Sequence, residues 1–385
     1  GIRPQYTGQP AVIPLGLTWE KSTTLNLGLD FAFLSNRLQF SGDIYQRKTT
    51  DMFTVGMSLP AVFGTDVPKG NYADLTTKGF ELSVSWRDQF QLASKPFNYE
   101  VRFTLADYQS TIDKYNNPEK KLGDDYYYEG MKVGEIWGYE TEGFFTSQAD
   151  IDSHAKQPYF YAGATAGQWL PGDIKFKDLN GDGVIDYGNN TVDNPGDQKI
   201  IGNSEPRFIY GINLSGDWNN FFVSAFFQGV GKQDWWPGSE ASYFWGMYNR
   251  PYNDMPKSHL GNIWTEENPN TYFPRLRGYS SEEPYAELNL KQTRYLQNIA
   301  YIRMKNIQLG YTLPKSFISK LRMQNAKVYV SGENLWSWSP FYKYSKDLDV
   351  EAVRGSDRDL TEGTSGNGYS YPILKSVSFG LSVTF

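Results

Sequence analysis

Apolar and polar residues alternate with a period of two along most of the chain. Leu25, Leu27, Leu29, Phe31 and Phe33 share one face of a run whose other face carries Thr24, Asn26, Gly28 and Asp30. After the turn residues Ser35-Asn36 come Leu38, Phe40, Gly42 and Ile44, opposite Gln39, Ser41 and Asp43. Phe80–Trp86 and Phe97–Leu105 repeat the pattern. So do Phe208, Tyr210, Ile212 and Leu214, and then Phe221, Val223, Ala225 and Phe227. Alternation of this kind marks strands with one apolar face and one polar face. Between Ile299 and Thr312 it slips by one residue near Lys305-Asn306, as at a β-bulge. The pattern predicts nine strands, near 22–34, 37–48, 75–87, 96–109, 206–217, 219–229, 299–312, 325–335 and 374–385. The strand-like stretch 131–145 is placed inside a loop, because a tenth spanning strand would break the parity of every earlier connection.

Period two does not choose between a sandwich, with its apolar face inward, and a membrane barrel, with that face in lipid. Connection lengths do. Those at 35–36, 88–95, 217–220 and 313–324 are short, and those at 49–73, 110–205, 229–298 and 336–373 are long. Strict alternation is expected of an outer-membrane barrel, with short periplasmic turns and long extracellular loops. The final run, VSFGLSVTF, alternates through to Phe385. An apolar terminal strand suits a barrel better than a soluble domain, whose ends usually fray. On this reading Phe208, Tyr210, Ile212, Leu214, Phe221, Val223, Ala225 and Phe227 face lipid, and Asn213 and Ser215 face the lumen.

Composition narrows the function classes. The 385 residues include 28 Tyr, 24 Phe, 11 Trp and 37 Gly. Aromatics and turn formers at this density favour β structure. A net charge of −6 argues against a nucleic-acid binder. With no Cys and only His154 and His259, thiolate and His-rich metal centres and a Ser-His-Asp hydrolase are poorly supplied. Both histidines are expected at the surface. Mean hydropathy is −0.56, which excludes membrane helices and leaves strand-spanning barrels open. The opening GIRPQYTGQP has no signal-peptide pattern, so a processed chain or an internal piece is expected. No P-loop, GxSxG or HExxH pattern occurs, and no enzymatic activity is expected.

Five blocks of the sequence resemble SusC-like TonB-dependent transporters of Bacteroidetes. They are LTWEKSTTLNLGLDFAFLSNRLQFSGDIYQRKTTDMF (17–53), GDIKFKDLNGDGVID (172–186) with IGNSEPRFIYGINLSG (201–216), YIRMKNIQLGYTLP (301–314), VYVSGENLW (328–336) and the ending YPILKSVSFGLSVTF. The resemblance is to the C-terminal barrel portion only. It implies an all-β, antiparallel transmembrane barrel of roughly 22 strands with a plug, of which this chain supplies about nine. It further implies a bacterial outer-membrane location, import of oligosaccharides, a SusD-like lipoprotein lid, coupling to TonB through the missing N-terminal part, and the rest of its own barrel as partner. Two alternatives stay open: a peptide importer on the same fold, and a secreted all-β carbohydrate-binding or hydrolytic protein.

Two groups of residues are candidate sites. Asp178, Asn180, Asp182, Val184 and Asp186 match the first nine positions of an EF-hand-type calcium loop, with Gly183 at the sharp turn. The twelfth position is Asn189 where an acid is needed, so Asp193 or Asp197 would have to substitute. A bound calcium would be structural; a metal-free turn is the alternative. Trp235, Trp236, Trp245, Asn249 and Arg250, with Tyr243, Tyr248 and Tyr252 beside them, offer flat rings and planar polar groups of the kind saccharides stack on. Tyr126, Tyr127, Tyr128 and Trp137 share that ambiguity. Trp336, Trp338, Phe341 and Tyr342 read as an interfacial aromatic belt.

Overall fold

The computed structural model describes residues 16–385, apart from 57–61, 63–66, 124–125, 159–167, 240, 250–251, 253, 283–284 and 354–370. In chain order the strands are β1 (Lys21–Phe33), β2 (Leu38–Val55), β3 (Lys69–Leu92), β4 (Lys95–Lys114), β5 (Glu135–Tyr139), β6 (Thr141–Phe144), β7 (Ile174–Phe176), β8 (Gln198–Asn203), β9 (Arg207–Trp218), β10 (Phe221–Lys232), β11 (Asp234–Trp235), β12 (Gln297–Asn298), β13 (Tyr301–Thr312), β14 (Asn325–Trp338) and β15 (Ser376–Thr384). Nine of them form one antiparallel sheet in the order β1-β2-β3-β4-β9-β10-β13-β14-β15. Stretch 131–145 supplies no strand to that sheet: it bridges the end of β4 at Lys132 and otherwise forms two small separate sheets, β5 with β8 and β6 with β7.

The register carries the apolar face unbroken across the sheet. Phe33, Leu38, Trp86, Val101, Leu214, Ala225, Ile307, Gly332 and Val377 stand side by side, one from each of the nine strands. The neighbouring row is Ala32, Gln39, Ser85, Arg102, Asn213, Phe226, Asn306, Glu333 and Ser376. It is polar except at Ala32 and Phe226. Because side chains alternate, these rows project to opposite faces. The expected slip in β13 is present: Phe226 pairs with Asn306 and Phe227 with Met304, leaving Lys305 as the extra residue. Without that bulge every residue beyond it would point to the wrong face.

The apolar face stays exposed. Leu25, Phe379 and Leu381 are 77%, 87% and 66% accessible. A soluble sandwich would cover such a face with a second sheet, and a contiguous apolar surface of this extent marks contact with lipid or protein. The same face changes character along the strands. In β3 it runs Trp86, Val84, Leu82, Phe80 and then Lys78 and Thr76; in β4 it runs Val101, Phe103, Leu105 and then Asp107 and Gln109. β3 has 24 residues and β4 has 20, against the roughly 9–11 that span a bilayer. Their ends towards the long connections therefore project past the apolar band. Among the described residues no helix is long and apolar enough to cross a membrane.

At the other rim the connections are tight. Ala93 and Ser94 have φ of 49° and 62°, and Asn219 and Asn220 have φ of 46° and 71°. Positive φ at both central residues is the two-residue hairpin geometry that matches strand twist. Packing within the sheet uses rings laid over glycine. Tyr210 lies across Gly229, where a Cβ would sit 2.3 Å from the ring, and its hydroxyl donates to the Tyr301 carbonyl at 3.2 Å.

The enclosed core lies in the long connections. Tyr139, Ile174, Phe176, Phe244, Trp245, Tyr248, Phe273, Leu288, Tyr295 and Phe341 belong to one buried cluster drawn from three of them. A smaller cluster of Ile112, Leu122, Tyr128 and Met131 sits beside the end of β4. The connections thus form a folded cap at one rim of the sheet.

Candidate functional site

The cap begins from its aromatic core. Trp245 is fully buried, with its ring edge-on to Phe244 at 4.8 Å and to Tyr295 at 5.3 Å. Its indole N–H donates to the carbonyls of Pro237 and Gly238. Trp235 is 3% exposed and packs against Phe244 and Phe341. Tyr248 is buried and donates to the Pro274 carbonyl at 2.6 Å. The expectation that Trp235 and Trp245 offer their faces to a saccharide is therefore corrected: an enclosed ring has no face to offer. Trp236 is half-buried against the same cluster. The Asn249 amide is engaged by Ser242 and the Ser239 carbonyl. Arg250 lies outside the described residues. Rings that do reach the surface of the cap include Tyr127, Tyr187, Tyr243, Tyr252 and Tyr285.

Three further expectations change. His259 is buried rather than at the surface, bonded through Nε2 to the Phe244 carbonyl at 2.9 Å and packed on Phe273. Burial pushes its pKa down. Phe341, read as part of an interfacial belt, is in the cap core, while Trp336 and Trp338 stand exposed at the end of β14. Tyr128 is buried and donates to Glu135 at 2.5 Å. The composition of a loop does not distinguish rings that close a core from rings that meet a ligand.

The Asp178–Asp197 segment folds as a self-bonded loop. Asp178 accepts from the amides of Gly181 and Gly183 at 2.6 and 2.9 Å. Asn180 accepts from Asp182, and Asp182 from Val184. Gly183, at φ 82°, makes the turn. Asp186 accepts from Gly188. Asp197 does fold back: it is buried and accepts from Leu179, Asn180 and Asp186. Its pKa is pushed up by burial, against those three amides and with the Asp178 charge adding to the rise. Asp193 stays exposed. Among the described residues no three His, Asp or Glu side chains converge as a metal ion requires.

The cap also contains a buried charge cluster that the sequence did not signal. Asp173 is fully buried and is met by Arg277, with Nε at 2.8 Å, and by Arg275 at 3.4 Å. Glu287, also fully buried, accepts from the Ile174 amide at 2.8 Å. Its second oxygen has no hydrogen-bond partner and lies 4.0 Å from Arg277. Burial, with the Asp173 charge next, pushes the Glu287 carboxyl up to about 8. The cluster fastens the 229–298 connection to the 110–205 connection. Its four ionisable side chains are scattered over 115 positions from Asp173 to Glu287, so no local motif announces it.

On the polar face of the sheet, Arg303 of β13 meets Asp349 at 2.6 Å and Glu351 at 3.0 Å, and the bulged Lys305 also meets Glu351. These pairs hold the connection after β14 against that face. Nearer the tight turns the polar face bounds a concavity of about 950 Å3, bordered by Arg37, Arg87, Asn98, Glu100, Ser215 and Asp217 and by the ring of Phe222. One face apolar and uncovered, the other polar, concave and lined by charges, is the arrangement of an outer-membrane β-barrel wall.

No family model matches the chain. TonB-dependent receptor P3 of Formosa agariphila is 28% identical over 387 residues, covering 96% of this chain and 34% of that protein. TonB-dependent receptor SusC of Bacteroides thetaiotaomicron is 23% identical, covering 98% and 33%. The solved RagAB peptide transporter matches 96% of this chain and 35% of its own, with a TM-score of 0.69 at 21% identity. The chain spans about a third of the length of the curated relatives it matches. It is part of an outer-membrane β-barrel, and its similarity to SusC-like TonB-dependent transporters runs through nearly all of it. The two relatives are named as receptors and the solved structure as a transporter, none as an enzyme.

Proposed function

We propose that this chain forms the cap-bearing part of a TonB-dependent importer of oligosaccharides, closed on the outside by a SusD-like surface lipoprotein. The similarity to SusC over 98% of the chain carries the reading. The nine-stranded sheet has open edges at β1 and β15. Backbone groups at such edges need partners in lipid, so the rest of the barrel completes it. TonB engages through the remainder of the protein. The long connections face outwards, where the lid docks, and the tight turns face the periplasm. The oligosaccharide class is supported by the tyrosine rings exposed on the cap, Tyr243, Tyr252 and Tyr285. A structural calcium in the Asp178–Asp197 loop would have to draw the carboxylates of Asp178, Asp182 and Asp186 off the loop amides they accept from and onto the ion.

Deleting the gene in the native bacterium and measuring uptake tests the reading. Uptake of one class of oligosaccharide should be lost, with peptide uptake unchanged. Loss of peptide uptake alone would assign the same fold to peptide import.

A further inference from the structure

The cap holds a second concavity, of about 510 Å3, bordered by Ser258, Asn262, Tyr272, Arg294, Lys343 and Tyr344. That size falls within the ~300–1,000 Å3 range of small-molecule pockets. Its border contains two cations and no carboxylate. Arg294 is fixed in place. Its Nε donates to the Tyr272 carbonyl at 2.9 Å, its Nη2 donates to the Thr271 carbonyl at 2.6 Å, and its guanidinium lies 4.1 Å from the centroid of the Phe144 ring. A further bond joins its guanidinium to the Tyr295 side chain, and these three bonds leave two of the five guanidinium N–H donors for another acceptor. Elsewhere in and beneath the cap Arg275, Arg277, Arg303 and Lys305 each meet an Asp or Glu. Among the described residues Arg294 and Lys343 meet none.

The remaining walls are flat or polar. Tyr272 and Tyr344 stack at 4.2 Å with an angle of 17°. The Lys343 ammonium lies 5.3 Å from the Tyr344 ring centroid. Ser258 and Asn262 add a hydroxyl and an amide. Phe273 also borders the space but is 2% exposed, and no aliphatic side chain lines it, so the walls offer little surface to the apolar side chains of a peptide. A positioned guanidinium with a nearby ammonium suits a carboxylate. An aromatic ring beside hydroxyl and amide groups suits a sugar.

We propose that this concavity binds the carboxylate of an acidic oligosaccharide, with Arg294 and Lys343 on the anion and Tyr344 beside the ring that carries it. The proposal rests on the oligosaccharide-import reading and adds the charge class of the substrate.

The test is calorimetry on the full-length protein in detergent, with tetragalacturonate, its methyl ester and tetraglutamate as probes. The ester removes the charge and adds a methyl group at each carboxyl, and variants of Arg294 and Lys343 separate the two effects. It should bind about tenfold more weakly than the acid, as expected for loss of charge-assisted hydrogen bonds. Arg294→Gln and Lys343→Gln should each weaken tetragalacturonate several-fold and leave the ester unchanged. Lys343 is exposed, so its variant keeps the test informative if Arg294→Gln folds poorly. Equal affinity for acid and ester, or no effect of either variant, would overturn the proposal. So would tetraglutamate binding as tightly with the same dependence on Arg294 and Lys343, which would mark a peptide site. Import of neutral oligosaccharides together with no preference for the acid would sink this proposal alone. Preference for the acid without oligosaccharide uptake in cells would sink the transport reading and leave the site.

Discussion

In the nine-stranded sheet, Leu27, Phe379 and Leu381 stand exposed; in the cap, Trp245, Tyr248 and Phe273 are enclosed. The two regions spend the same residue types in opposite directions. The sheet is held by its ladder and by rings crossing glycines, and its apolar face is left for a nonaqueous solvent. The cap has short strands and little regular structure, and is held as a soluble domain is, by a buried cluster and buried charges. A solvent boundary therefore runs through the chain where β3 and β4 pass from Phe80 to Lys78 and from Leu105 to Asp107.

The largest separation of the two regions should come from emptying the cap. Trp245→Ala removes a fully buried ring and should cost the cap about 3–5 kcal/mol. Limited proteolysis should then cut the 229–298 connection, while the barrel's heat-modifiable gel mobility stays unchanged. Loss of barrel insertion with this variant would mean that the two regions are one cooperative unit.

The reciprocal change is Ile212→Arg, on the apolar face between Phe103 and Phe227. Near the midplane it should cost about 2–4 kcal/mol. Folding titrations into lipid vesicles would measure it, and unchanged stability would place Ile212 away from lipid.

A pH titration distinguishes the regions again, because the Asp173–Glu287 cluster belongs to the cap alone. The folded Glu287 carboxyl holds its proton more tightly than the unfolded one, whose ordinary value is 4.5. Its contribution is thus full below pH 4.5 and is lost as pH rises through about 8. Cap protection in hydrogen exchange should fall across that window, and Glu287→Gln should flatten the fall. An unchanged slope in the variant would assign the dependence to other groups.

The smallest effect is expected in the Asp178–Asp197 loop. Asp182→Ala removes the acceptor for the Val184 amide and should cost about 0.5–1.5 kcal/mol locally. Calcium should slow exchange of that loop in the parent protein and have no effect in the variant. Equal response of the two proteins would reduce the loop to a metal-free turn.

What could be read in the sequence follows the same boundary. The sheet was legible because lipid on one face and a polar lumen on the other impose period two on every strand. Even the bulge at Lys305 appeared as a slip in that period. The strands' upper ends were not legible: Thr76 and Lys78 in β3, and Asp107 and Gln109 in β4, are paired but no longer apolar, so the pattern stopped before the strands did. The cap obeys no period. Trp235 and Trp245 looked like ligand platforms because nothing in a loop sequence tells which rings meet each other across distant positions. Asp197 stood out in the sequence only as a substitute for the missing twelfth acid of a calcium loop; its place under the amides of Leu179, Asn180 and Asp186 was not legible there. Nor was the partnership of Asp173 with Arg277 and Glu287.

The central claim is that the apolar face of the nine-stranded sheet lies in lipid and the other face in a polar lumen. The chain contains no Cys, so single cysteines can be placed along β9 at 210–215 and, once any Cys in the rest of the full-length protein is replaced by Ser, spin-labelled in vesicles. Labels at 210, 212 and 214 should collide freely with oxygen, which concentrates in the bilayer. Labels at 211, 213 and 215 should collide instead with a water-soluble nickel chelate. Protection of 210, 212 and 214 from both reagents would contradict the account, because it would mean that the apolar face is buried against protein as in a sandwich.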